Sequence, residues 1–269
     1  MSAYFYTQPG LVVIYGAIRE NADHRHNAIQ LIWPESHASL CVEGTNLAQS
    51  TVIASQTSHR VTMQKGWVIL VEPHSSLGQQ LQDFLVGQPF YSLEGLPPYQ
   101  PLDVEMMPDT LPSMLAPLLT ALNVNDDFQH AVCANYSSHL AQSTHSAFTD
   151  NRKPIDTRVK AAITFLYKQM GNAEGIAEKI AVSRVAQKVG MSESRFLHLF
   201  RENMHITWRS YVLWLRLLCA IGVIRQGSNA TVAAHHAGFA DSAHLSRTFK
   251  ATFGLTIREA NQQWGARKH

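Results

Sequence analysis

The sequence predicts two domains: an N-terminal all-β barrel followed by helices, and a C-terminal all-α domain with two helix-turn-helix motifs joined by a long helix. Three observations carry this reading. Short apolar segments separated by polar or Gly/Pro turns recur through residues 10–95, the pattern of a sandwich or small barrel. One sequence unit occurs twice in the C-terminal part. The charge is split: residues 1–151 hold thirteen acids against four bases, a net −9, whereas residues 152–269 hold eighteen bases against seven acids, a net +11. The whole chain is only +2. A basic half joined to an acidic half points to a polyanion-binding module beside a regulatory one.

The 45% apolar content supplies real cores, and 16% charged residues is low for a disordered chain. Apolar runs such as Leu11–Tyr15 and Trp67–Val71 fall well short of the ~18 residues of a membrane span. Met1–Tyr6 lacks the basic start of a signal peptide. Cys41, Cys133 and Cys219 form no CxxC pair and read as small core residues in a reducing compartment. A cytoplasmic, nucleoid-associated protein with no membrane partner is expected.

Within a barrel domain over residues 1–109, strands are expected at Leu11–Tyr15, Ala28–Trp33, Ser39–Val42, Thr51–Ala54 and Trp67–Val71. Prolines 97, 98, 101, 108 and 112 exclude a single helix over Leu93–Pro112. Residues 110–143 turn helical. Leu115, Leu118, Leu119 and Leu122, then Phe128, Val132 and Tyr136, share faces suited to dimerisation or to packing on the barrel. Polar residues 144–155 read as a linker. Residues 156–269 are helical, beginning where Asp156 is placed to cap a helix carrying Val159, Ile163 and Leu166 on one face.

The repeat lies at Val182–Thr207 and Ala230–Thr256. Each copy has an alanine four residues before a glycine: Ala186 and Gly190, then Ala234 and Gly238. A capping residue follows, Ser192 or Asp241, and the next helix ends in Phe plus a base, Phe200-Arg201 or Phe249-Lys250. These positions suit two short helices crossing steeply. Alanine permits close approach, glycine closes the first helix in a left-handed conformation, and Ser or Asp opens the second. Phe196 and Phe200, and Leu245 and Phe249, then face the core, leaving the opposite face free for a major groove about 12 Å wide. The apolar stretch Ile206–Arg225 between the copies, at ~1.5 Å per residue, reaches ~30 Å, close to one turn of duplex.

On these residues the chain resembles the AraC/XylS family of bacterial transcriptional regulators over about Asp156–Asn261. The match is densest at Gly238-Phe239, Asp241-Ser242, Leu245–Lys250 and Phe253–Thr256, with Arg158-Val159 and Arg216 also fitting. Ile257 stands where the family usually has Pro, and His205 stands in the first copy where the second has Gly254. The resemblance implies a sequence-specific DNA-binding regulator, activator or repressor, that binds double-stranded DNA as a homodimer and engages RNA polymerase. It places base readout on Ser194, Leu197 and His198 of the first recognition helix and on Ser242, Ala243, His244 and Arg247 of the second. Arg195, Arg201 and Lys250 are then placed for phosphates.

The β-rich half resembles a cupin-like sensor barrel. His24-x-His26, Gln30 and His59 fall in the pattern that holds metal in metal-binding cupins, with glutamine where glutamate is usual. Two readings stay open: a divalent metal site taking zinc, nickel or iron, or the polar lining of a pocket for a small-molecule effector. No cofactor is required by the first function. Its competitor is a cupin-type metalloenzyme with an accessory DNA-binding domain; the missing glutamate and the basic second half favour a non-enzyme. A DNA-repair or methyl-transfer sensor ranks lower, since no cysteine cluster has zinc-ligand spacing.

Overall fold

The computed structural model describes residues 4–8, 10–19, 21–36, 38–96, 115, 118, 120–122, 155–170 and 181–264. The chain forms two compact units, one of Met1–Cys133 with Ser246–His269, the other Ala134–Leu245.

In the first unit, eight strands build one antiparallel sheet of barrel type: β1 (Tyr4–Gln8), β2 (Leu11–Ile18), β3 (Ile29–Pro34), β4 (Ala38–Val42), β5 (Thr45–Leu47), β6 (Thr51–Ile53), β7 (His59–Val71) and β8 (Phe90–Ser92). The thirteen-residue β7 is its spine. The second half of β7 pairs with β2 from Leu11↔Val71 and with β3 from Ile29↔Val71. The first half pairs with β4, from Ala38↔Met63 to Val42↔His59. The register of β2 shifts between Gly16 and Ile18, opposite Gly66. A Cβ on Gly66 would lie 2.6 Å from the Trp33 carbonyl oxygen and 2.7 Å from Pro34 Cα, so only glycine fits this crossing.

The period-2 pattern sends Leu11, Val13 and Tyr15, Leu31 and Trp33, and Trp67, Ile69 and Val71 into one core. Tyr15 and Trp67 rings lie 4.8 Å apart, Trp33 and Trp67 rings 6.5 Å. Helix α1 (Ser76–Leu85) adds Leu77, Leu81 and Leu85 at i, i+4, i+8. That helix was not among the expected elements. Its start is set by Ser75, whose hydroxyl oxygen accepts from the Gly78 N–H at 3.0 Å. Leu115, Leu118 and Leu122 are buried in the same core, so these three are used in packing on the barrel. Leu119, Phe128, Val132, Tyr136 and residues 144–154 of the expected linker lie outside the described residues.

The C-terminal helices are α2 (Thr157–Met170), α3 (Val182–Lys188), α4 (Glu193–Met204), α5 (Trp208–Arg225), α6 (Ala230–His236), α7 (Ser242–Phe253) and α8 (Ile257–Trp264). Asp156 caps α2, its carboxylate accepting from the Arg158 N–H at 2.8 Å. Thr207 caps α5, accepting from the Ser210 N–H at 3.1 Å. Helix α5 buries Trp208, Tyr211, Val212, Trp214, Leu215, Leu217 and Leu218, so it is a core helix rather than an exposed strut. Among the described residues, no single helix is long and apolar enough to cross a membrane.

Candidate nucleic-acid interface and buried histidine cluster

Both copies of the repeat fold as helix–turn–helix units, and their turns are closed by the same two hydrogen bonds. In the first, the Gly190 N–H donates to Gln187 O (3.0 Å) and the Met191 N–H to Ala186 O (2.9 Å). In the second, the Gly238 N–H donates to His235 O (3.1 Å) and the Phe239 N–H to Ala234 O (2.8 Å). This is the Schellman pattern, with glycine left-handed at φ +69° and +76°. Ala186 and Ala234 are buried, as a steep crossing requires. The extra residue of the second copy is absorbed after its turn, where Asp241 accepts from the His244 N–H at 2.6 Å. Ser192 holds the equivalent N-cap position of α4, but its side chain makes no capping bond; Glu193 supplies negative charge to that first turn instead.

Phe196, Phe200 and Met204 of α4 are buried, as are Leu245 and Phe249 of α7. On the other side of α4, Ser194, Arg195, Leu197, His198 and Arg201 are exposed, with Leu197 at 37%. His198 Nε2 lies 3.3 Å from a Glu202 carboxylate oxygen. On α7, Ala243, Arg247 and Lys250 are exposed, whereas Ser242 and His244 are half-buried. The His244 ring sits edge-on to Phe239 at 5.2 Å, which ties it to the turn and leaves Arg247 with the greater reach.

Each copy ends in a left-handed residue bonded to the carbonyl four back: the His205 N–H to Arg201 O and the Gly254 N–H to Lys250 O, both 2.9 Å. The first copy tolerates a side chain here, with His205 at φ +52°. Helix α8 then starts at Ile257 without proline, because Thr256 and Glu259 form a capping box. The Thr256 N–H donates to the Glu259 carboxylate (2.6 Å), and the Glu259 N–H donates to Thr256 Oγ1 (3.2 Å). The Thr256 bonds also hold the Glu259 carboxyl below the usual carboxylate range.

Inside the barrel unit, His24, His26, Gln30 and His59 converge, all at least nine-tenths buried. His24 and His26 do not share a regular strand, as alternation had suggested. His24 makes an isolated bridge with His59, exchanging N–H···O bonds of 3.0 and 2.9 Å, and His26 lies on the connection leading to β3. Ring centroids are 4.3 Å apart for His24–His59, 5.1 Å for His26–His59 and 5.8 Å for His24–His26. One ring nitrogen from each lies within 4.8 Å of the others.

Each Nδ1 meets a backbone carbonyl: His24 to Ala22 O (2.9 Å), His26 to Ala28 O (3.1 Å) and His59 to Thr57 O (2.9 Å). A carbonyl oxygen only accepts, so the Nδ1–H tautomer satisfies each of these carbonyls and leaves Nε2 of the neutral ring as a lone pair. Gln30 Oε1 stands 2.8 Å from His26 Nε2 and 3.3 Å from His59 Nε2. Burial pushes His26 down to about 4 and His59 to about 3, and lowers His24 as well.

The sign of the resulting pH dependence is set by the unfolded chain, where these rings titrate near ~6.5 and bind protons that the folded rings refuse. Their contribution to stability is complete above that pH and is lost as pH falls from there toward 4. The urea midpoint of EDTA-treated protein is therefore lower at pH 5 than at pH 7.5. An unchanged midpoint would mean that the rings charge freely in the fold.

The segment that leads into His24 is held from the other side. The Asn21 side-chain amide donates to Phe253 O (3.4 Å) while its oxygen accepts from the Val61 N–H (2.7 Å). The Ala22 N–H donates to Gly254 O at 2.9 Å, and the Arg19 N–H to Gln263 Oε1 at 3.3 Å. Sequence reasoning passed over Asn21, Ala22 and Gln263. The available signal was the contrast of His205 with Gly254 at equivalent positions of the repeat.

Residues 185–263 match the family model of a helix-turn-helix domain. No curated protein matches the sequence. Among solved structures, ToxT from Vibrio cholerae O395 is 13% identical, covering 94% of this chain and 97% of its own, with a TM-score of 0.46. Unsaturated fatty acid-bound ToxT from Vibrio cholerae strain SCE256 is 10% identical over 98% and 99%, with a TM-score of 0.48. The AraC-like transcriptional activator CuxR is 10% identical over 87% and 83%, with a TM-score of 0.33.

Proposed function

We propose that the protein is a sequence-specific DNA-binding regulator of transcription of the AraC type, whose N-terminal barrel receives the regulating signal, in keeping with the helix-turn-helix family model that residues 185–263 match. The observation that carries this is the duplicated turn. Two recognition helices, α4 and α7, start after identically bonded glycine turns and present exposed bases, Arg195 and Arg201 on one, Arg247 and Lys250 on the other. Arg247 reads a base edge, because a guanidinium can bind guanine O6 and N7 together. Arg195, Arg201 and Lys250 fix register through phosphates. The buried histidine cluster is the signal pocket.

Fluorescence anisotropy on the duplex that the full chain selects from a random pool tests this. Affinity falls log-linearly with salt. Lys250→Ala weakens binding evenly across sequences and lowers the salt slope by about 1. Arg247→Ala costs about 1–3 kcal/mol at one base pair and relaxes specificity there. Absence of salt-sensitive affinity for any duplex overturns the assignment.

A further inference from the structure

We propose that His24, His26 and His59, with Gln30, bind one divalent transition-metal ion of the zinc class, and that this site is latched through Asn21 and Ala22 onto the turn that ends the second recognition helix. The inference deepens the regulatory reading above and rests on it for its consequence at DNA.

The donor set argues for the ion. Metal-bound imidazoles characteristically give their second ring N–H to a carbonyl or carboxylate, which fixes the tautomer and aims the lone pair. All three rings already do so through Nδ1, to Ala22, Ala28 and Thr57. Nε2 of His26 and of His59 lie 2.8 and 3.3 Å from the Gln30 side-chain amide oxygen. A cation among them is coordinated by both ring lone pairs and by that oxygen together. Three nitrogens and one oxygen complete the four positions zinc takes; the three ring nitrogens lie within 4.8 Å of one another, and the Gln30 oxygen lies 2.8 and 3.3 Å from two of the rings, so bonds of about 2.0–2.2 Å need only side-chain adjustment. Imidazole donors select zinc, nickel, copper or iron over magnesium or calcium.

The latch rests on Gly254. A Cβ there would lie 2.4 Å from Ala22 O, 2.7 Å from His24 Nδ1 and 3.0 Å from Asn21 Cβ. The same Ala22 carbonyl takes the His24 ring proton, and the Ala22 N–H holds Gly254 O. One residue thus bonds both a metal ligand and the recognition-helix turn. The equivalent turn of the first copy carries His205 in the same left-handed conformation, so the turn itself does not need glycine. The closeness of the barrel does. An ion that orders His24 tightens this contact, keeping the carboxyl end of α7 bonded to the barrel through Asn21 and Ala22 rather than free to seat on a duplex. Metal loading therefore weakens DNA binding, since a ligand shifts an equilibrium by its differential affinity for the two states.

The test uses the full chain, stripped with chelator and reloaded with zinc. Wild type takes up one tightly held zinc per chain by mass spectrometry of the metal, and cobalt substitution gives a tetrahedral visible spectrum. His26→Asn loses both, and Gln30→Glu, which adds a charged ligand, tightens zinc at least tenfold. Zinc uptake equal in wild type and His26→Asn overturns the site.

For the latch, zinc slows hydrogen exchange at the Ala22 amide in wild type and weakens anisotropy-measured duplex affinity at least tenfold. Gly254→Asn, which keeps a left-handed turn as His205 does, binds zinc but loses both responses. Equal responses in Gly254→Asn and wild type, or tighter DNA binding on zinc loading, overturn the latch. Metal uptake and Ala22 exchange need no DNA, so they stand or fall separately from the regulatory assignment.

Discussion

Phe200→Ala abolishes duplex binding at low protein concentration and leaves the barrel folded. Phe200 is fully buried, and its ring lies 5.1 Å from Trp208, 5.4 Å from Tyr211 and 5.9 Å from Phe196. It is the point where α4 is held on the first turn of α5. Truncating such a ring leaves a void that three other aromatic side chains cannot close, and costs about 3–5 kcal/mol. That is a large part of the ~5–15 kcal/mol that holds a typical domain together. A thermal scan followed by far-ultraviolet circular dichroism shows the helical transition moving down by many degrees. Trp33 and Trp67, buried in the barrel, keep their native fluorescence. The control is Leu197→Ala, three residues away on the same helix but 37% exposed. It changes stability by less than about 0.5 kcal/mol and lowers affinity through the lost groove contact. A Phe200→Ala protein that melts and binds like wild type would mean that α4 is not seated by this ring.

The contrast between Phe200 and Leu197 was legible in the sequence because a 3.6-residue period assigns faces without any knowledge of partners. The glycine turns were legible for a similar reason. Gly190 and Gly238 follow buried alanines at a spacing that demands a left-handed residue, and a local hydrogen-bond motif satisfies it. The four members of the histidine cluster were also identified, although by pattern rather than by geometry. What brings His24 to His59 is a single bridge from a residue outside any regular strand to the first residue of β7, and no period encodes that.

Helix α1 escaped because Leu77, Leu81 and Leu85 lie among glutamines after a Pro-His-Ser-Ser turn, and three apolar positions are few against a surrounding β pattern. The contact of Asn21 and Ala22 with Phe253 and Gly254 joins residues 232 positions apart, and its acceptors are both backbone carbonyls. Backbone carbonyls are the same in every sequence, so only the glycine on the far side carried a trace of it.

Two glycines in helices give opposite results when each is replaced by alanine, although helix propensity alone favours alanine at both by about 0.8–1.0 kcal/mol. Gly222→Ala, in α5, raises the unfolding free energy by an amount near that figure and moves the urea midpoint up accordingly, because a Cβ there meets no heavy atom within 4 Å. Gly78→Ala, in α1, lowers it. There the Cβ would lie 2.0 Å from Glu72 O and 2.8 Å from Pro73 C and Cα, all backbone atoms. The Glu72 carbonyl is not free to withdraw. It accepts from the Ser75 N–H at 3.0 Å and the Ser75 hydroxyl at 2.7 Å, and the Glu72 N–H donates to Gly10 O at 2.8 Å. Relieving the overlap means lifting the first turn of α1, which drags Leu77 and Leu81 out of the core they share with Trp67. Overpacking of this kind costs about 1–3 kcal/mol, enough to reverse the propensity gain. Denaturation curves for the two variants, read against wild type, decide it: midpoints that move in the same direction would show that α1 does not lie against the Glu72-Pro73 backbone.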